Sequence, residues 1–172
     1  NKLFKDIPDA ISNIQEIVNK VDFYDLNRDV LLPKFTIPND YYLIISQAKK
    51  NNSKVKEFGL KNYQYIIDKT KDKINWVQVG IQSDRVLNNT KLNLCGKTNL
   101  RELFILVSKA SGVFCSEGFL THICAAFNIK NYCITSDFIY PELTPYPTKI
   151  VIQRKNSHQE VCSYCKKWYN GR

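Results

Sequence analysis

From residue 39 onward the chain alternates short apolar runs with segments of helical period. Residues 41–46 (YYLIIS) form a continuous apolar run, the signature of a strand covered on both faces. A polar, lysine-rich loop follows, and Leu60, Tyr63, Ile66 and Ile67 then recur at helical spacing. Residues 75–80 (NWVQVG) predict a second strand ending in glycine, and residues 92–95 a short third one. Residues 99–109 predict a helix with Leu100, Leu103, Phe104 and Val107 on one face. Asn99 opens it, and Glu102 three residues on completes a capping-box pattern. Residues 113–115 predict a fourth strand, 119–127 a helix, and 132–135 and 149–152 two further strands.

Strand–helix alternation with uninterrupted apolar strands predicts an α/β fold, a Rossmann-like parallel sheet with helices on both faces. Ligands in such sheets bind at the carboxyl ends of the strands, which here are followed by loops 47–57, 81–90, 96–99, 116–121 and 136–147. Upstream, Ile7, Ile11, Ile14, Ile17 and Val18 suggest one amphipathic helix, and Pro33 and Pro38 bracket an extended stretch. The organisation expected is a connecting segment over 1–38, a Rossmann-like domain over 39–153 and a cysteine-containing tail over 154–172.

The segment 112–128 (GVFCSEGFLTHICAAFN) is where the pattern turns into chemistry. A buried strand breaks at Ser116-Glu117-Gly118 and opens straight into a helix. The first N–H groups of a helix lack intrahelical partners, and with the helix dipole they favour an anion such as phosphate. Glu117 suits the positive end of that helix and is within reach of a ribose hydroxyl. Gly118 permits the turn and a close ligand approach. Thr121 offers a hydroxyl and an amide, and His122 sits where the dipole disfavours its charged form. The plainer alternative is that Glu117 only caps the helix and His122 only packs. Lysines in the loop 51–56 could balance a diphosphate without a metal; the alternative there is an ordinary solvated loop.

Charge and composition narrow the field. The 172 residues suit one domain, and a hydrophobic share of 44% excludes a disordered chain. The net charge of +9 suits a polyanionic partner, but the lysines are scattered and no nucleic-acid signature appears. No apolar run approaches the roughly 20 residues of a membrane span, and the first residues lack an apolar signal core. The chain contains no methionine and reads as a piece of a longer protein. Of six cysteines, Cys95, Cys115, Cys124 and Cys133 lie in apolar segments and read as small core residues in a reducing, cytoplasmic compartment. Cys162 and Cys165 form a CxxC with His158 nearby, short of the four ligands a metal site usually needs; an incomplete or inert pair is the plainer reading, and no metal is expected. No GxGxxG, P-loop GxxxxGK[ST] or G-x-S-x-G occurs, which argues against a dehydrogenase, an ATPase or a serine hydrolase.

Residues 92–127 resemble the heptosyltransferase-type glycosyltransferases of glycosyltransferase family 9, the ADP-heptose:lipopolysaccharide group. Thr98-Asn99-Leu100-Arg101-Glu102-Leu103 is similar to that family's T-S-L-x-E-L. Residues 117–126 (EGFLTHICAA) are similar to its D-[ST]-G-x-x-H or D-G-G-L-x-H followed by L-A-A-A. Lys56-Glu57-Phe58-Gly59 resembles K-x-W-P after the first strand, and Cys162-Ser163-Tyr164-Cys165 a carboxyl-terminal C-S-P-C. Glu117 stands for the family's aspartate, Phe119 for its glycine and Tyr164 for its proline.

The resemblance implies one half of a GT-B glycosyltransferase, the carboxyl-terminal donor-binding domain, acting in lipopolysaccharide or glycoconjugate biosynthesis. It implies inverting transfer from a nucleoside diphosphate sugar, with no cofactor or divalent metal required. Lys56, with Ser53 or Lys54, would hold the diphosphate, and Thr98 would lie near the nucleobase. Glu117 would take the aspartate's place, and Gly118, Leu120, Thr121 and His122 would line the diphosphate pocket. The catalytic base and a lipid-linked or protein acceptor would belong to the other domain, so no catalytic residue is expected in this chain. A peripheral contact with the inner face of the cytoplasmic membrane is compatible with such an acceptor; a nucleic-acid partner is not expected. Two rivals remain, a non-catalytic module with a degenerate donor site and a nucleotide-sugar epimerase of the same architecture.

Overall fold

The computed structural model describes residues 34–46, 58–135 and 144–153. Six strands form one sheet in the order β3-β2-β1-β4-β5-β6, every neighbouring pair parallel. They are β1 (Tyr41–Ile44), β2 (Asn75–Gln78), β3 (Leu92–Asn93), β4 (Gly112–Ser116), β5 (Asn131–Thr135) and β6 (Lys149–Gln153). Three helices are described, α1 (Leu60–Thr70), α2 (Leu100–Lys109) and α3 (Phe119–Ala126). Each coincides, within a few residues at its ends, with a segment expected from the apolar pattern. The expected helix over 8–20, the loop 47–57 and the cysteine tail lie outside the described residues.

The period of two along the strands divides the core into two layers. Tyr41 and Leu43 of β1, Val77 and Val79 at β2, and Val113 and Cys115 of β4 face one layer with Ile105, Leu106 and Val107 of α2 and Leu120, Ile123 and Cys124 of α3. Ile44, Trp76, Phe114 and Ile134 face the other with Tyr63 and Ile67 of α1. The sheet is thus buried on both faces, which is why its strands read as unbroken apolar runs. Ile37 joins the first layer, and the Lys34 ammonium pairs with Glu102 at 2.8 Å, so residues 34–38 lie against the domain.

Gly112 marks a close approach. A Cβ there would stand 2.7 Å from Cε1 of Tyr42 and 3.2 Å from Cε2 of Tyr132, so one aromatic ring from each flanking strand closes over the missing side chain. Behind β2, the buried Gln78 amide donates to Arg85 O at 2.8 Å and accepts from Leu87 N at 2.8 Å, tying down the loop between β2 and β3.

The strand order reverses between β1 and β4. In open parallel sheets ligands bind outside the carboxyl ends of the strands at such a reversal, and residues 116–122 follow the carboxyl end of β4.

Candidate functional site

Two helices begin near this edge, and their amino ends differ. At α2 the Asn99 side chain accepts from Glu102 N at 2.8 Å, and the Glu102 carboxylate accepts from Asn99 N at 2.8 Å. Both halves of the capping box are present, so protein groups already occupy these amides. Thr98, half-buried, immediately precedes this cap. At α3 the N-cap residue is Gly118, which makes no side-chain cap hydrogen bond. Thr121 N reaches back to Gly118 O at 3.0 Å.

Gly118 stands at the head of α3 with φ 172° and ψ −156°, an extended conformation open to any residue. The turn therefore does not require glycine. Among the described residues a Cβ there would meet nothing closer than Ser116 O at 4.0 Å. What the glycine contributes is open space in front of the uncapped amides.

The residues around it divide into inward and outward groups. Leu120 and Thr121 are buried, with Thr121 Oγ1 3.8 Å from the Cys133 sulfur, so their side chains anchor the helix and only their backbone can serve a ligand. Phe119 is 52% exposed, its ring tilted against Phe104 of α2 at 6.4 Å between centroids. His122 is half-buried, its Nδ1 2.8 Å from the Tyr146 hydroxyl. The Tyr146 phenol is raised above its ordinary pKa by burial and by the nearby charge of Glu117.

Glu117 is buried against the segment leading into β6. Its Oε1 accepts from the Thr144 hydroxyl at 2.8 Å and lies 3.8 Å from the Lys149 ammonium. Lys149 in turn donates to the hydroxyl and, at 3.1 Å, to the carbonyl of Thr144. The second carboxylate oxygen, Oε2, is buried without a hydrogen-bond partner. From the other face of the sheet, the Tyr63 hydroxyl meets Ser116 Oγ at 2.8 Å, and burial holds that phenol far above its usual range. The turn between β4 and α3 is thus held from both sides.

Thr144, Tyr146 and Lys149 were not singled out by the sequence, because nothing local marks them. They lie more than twenty positions from the residues they touch and fall in what reads as a loop and a strand start. Ser53, Lys54 and Lys56 lie outside the described residues, as do Cys162 and Cys165. Among the described residues no group of three His, Cys, Asp or Glu side chains is placed to hold a metal. Burial raises the Cys95 thiol to about 11 and the Cys124 thiol to about 12, and it pushes Cys115 well above the usual range. Cys115 and Cys124 are core groups, as their apolar settings suggested, whereas Cys95 is only half-buried and stands outside the core.

An all-parallel sheet with an uncapped helix at its switch point is shared by many nucleotide-binding proteins, so comparison decides the family. The family model of glycosyltransferase family 9 (heptosyltransferase) matches residues 16–161. The chain belongs to glycosyltransferase family 9. Its fold is similar to that of ADP-heptose lipopolysaccharide heptosyltransferase II of Escherichia coli, with TM-score 0.62, 14% identity, and coverage of 86% of this chain and 53% of that one. It is also similar to a family 9 glycosyl transferase of Veillonella parvula, with TM-score 0.61, 13% identity, and coverage of 81% and 42%. A third similar structure is E. coli heptosyltransferase WaaC with ADP, with TM-score 0.57, 13% identity, and coverage of 83% and 47%. No curated protein matches the chain. The chain spans about half the length of the solved structures it matches. No described helix is long and apolar enough to cross a membrane.

Proposed function

We propose that this family 9 chain is the donor-binding half of an inverting GT-B glycosyltransferase and takes a nucleoside diphosphate sugar at the head of α3. The observation that carries this reading is the uncapped amino end of α3, at the switch point between β1 and β4, with Gly118 leaving the space before it open. A diphosphate placed there accepts hydrogen bonds from backbone amides and lies at the positive end of the helix. The leaving diphosphate is then stabilised without a divalent metal, with Lys56 and Ser53 or Lys54 completing its neutralisation. His122 and the backbone of Leu120 and Thr121 line the pocket, and Thr98 lies toward the nucleobase.

An ADP-heptose-like donor is the reading favoured by family membership and by the likeness to a heptosyltransferase determined with ADP. The acceptor, a lipid-linked or protein-borne glycoconjugate such as a lipopolysaccharide precursor, would be held by the second domain together with the catalytic base. A chain of this span therefore binds donor without turning it over.

Calorimetric titration with ADP and UDP tests the proposal. Saturable binding of at least one nucleotide, abolished by Lys56→Ala and by Gly118→Val, is expected. A folded protein that binds neither nucleotide would remove the donor reading and leave the non-catalytic module.

A further inference from the structure

A carboxylate next to the head of α3 is a problem for a site that takes a diphosphate. Glu117 directly precedes Gly118, and its charge would oppose both the helix dipole's attraction for an anion and the anion itself. The Glu117 side chain is only 8% exposed, so water does little to screen it. The structure places one ammonium group against it. Lys149, at the start of β6, has a side chain 2% exposed, and its Nζ lies 3.8 Å from Glu117 Oε1. The Thr144 hydroxyl stands between them, accepting from Lys149 and donating to Glu117 at 2.8 Å.

We propose that Lys149 is a positioning residue of the donor site: it neutralises Glu117 and, through Thr144, holds the carboxylate away from the pocket so that the head of α3 stays receptive to the donor diphosphate. This rests on the donor reading above. It assigns Glu117 a place in the wall of the pocket and no direct bond to the ribose. Removing Lys149 alone leaves a buried, uncompensated negative charge beside the pocket, whereas removing both charges leaves a neutral wall.

The experiment is a double-variant cycle, with ADP read by calorimetry and neutral adenosine read by NMR titration. Lys149→Met is expected to weaken ADP by about tenfold or more while leaving adenosine within about twofold. Lys149→Met combined with Glu117→Gln is expected to return ADP to within about threefold of the unaltered chain. Glu117→Gln alone is expected to keep or tighten ADP binding. A folded Glu117→Gln variant that loses ADP binding would show Glu117 to be a direct ligand and overturn the inference. Equal weakening of ADP and adenosine by Lys149→Met, without rescue by the double variant, would reduce Lys149 to a folding residue and also overturn it. If Lys149→Met does not fold, the double variant and Glu117→Gln decide the matter, since neither strands a buried carboxylate. An unaltered chain that binds no nucleotide defeats the donor reading and takes the inference with it. An unaltered chain that binds ADP, with variants that all bind equally, defeats the inference alone.

Discussion

The Tyr146 hydroxyl lies 2.8 Å from Nδ1 of His122, joining the segment before β6 to the first turn of α3. With Thr144 and Lys149 on Glu117, this contact makes residues 144–149 a brace for the head of the helix. The imidazole is oriented by a group twenty-four positions away in the chain.

Tyr146→Phe removes that orienting group while keeping the ring. Loss of one partly buried hydrogen bond is expected to cost about 0.5–1.5 kcal/mol of stability in urea unfolding. Nucleotide affinity is expected to fall by a few-fold as His122 loses its preferred orientation. An unchanged affinity beside a measurable stability loss would mean that His122 only packs.

The capping box of α2 gives a pH signature. Burial works to raise the Glu102 carboxyl, but the hydrogen bond from Lys34, the Asn99 amide and the Lys34 charge outweigh it and hold the pKa below the ordinary value of 4.5. A carboxylate lowered in the folded state contributes stability above its unfolded pKa, and that contribution is lost as pH falls through the folded value. Stability measured from pH 6 down to about pH 3 should therefore drop less steeply in Glu102→Gln than in the unaltered chain. Asn99→Ala should cost about 1 kcal/mol at neutral pH. Parallel pH profiles for Glu102→Gln and the unaltered chain would exclude this contribution.

Gly112→Ala places a methyl group 2.7 Å from the Tyr42 ring in the middle of the sheet. The ring is hemmed in by Trp76 and Tyr132, so relief requires shifting packed aromatics. A destabilisation of about 1–3 kcal/mol is expected in denaturant unfolding. Gly118→Ala, with open space around its Cβ, should change stability by less than about 0.5 kcal/mol. Similar losses at both glycines would contradict the packing described for Gly112.

Phe119 leans on Phe104 and is half exposed. Phe119→Ala is expected to leave ADP affinity within about threefold and to cost less than about 1.5 kcal/mol of stability. A large gain in affinity on truncation would show that the ring obstructs the pocket, as its place at a glycine position of the family motif suggested.

The elements of the sheet, their parallel arrangement and the strand–turn–helix of residues 112–126 were legible in the sequence. The reason is local: a strand buried on both faces must be apolar throughout, and a helix on one face must repeat its apolar residues at helical spacing. The Asn99–Glu102 cap was legible for the same reason, since both partners lie within one turn. The family motifs were legible because their order along the chain survives where identity is low.

The environment of Glu117 was decided by tertiary structure alone. Sequence placed it at a helix start, where it reads equally as a cap or as a ligand. Its Oε1 is engaged by Thr144 and Lys149, which reach it once β6 docks beside β5. Of the two roles the sequence offered Gly118, the turn and the room beside the backbone, its extended φ leaves the second, because its φ and its neighbours become known only when the chain is folded. Period and spacing report which side of an element meets the core. Which polar groups meet across the sheet depends on strand order and on contacts between residues far apart in the chain, and no local pattern encodes those.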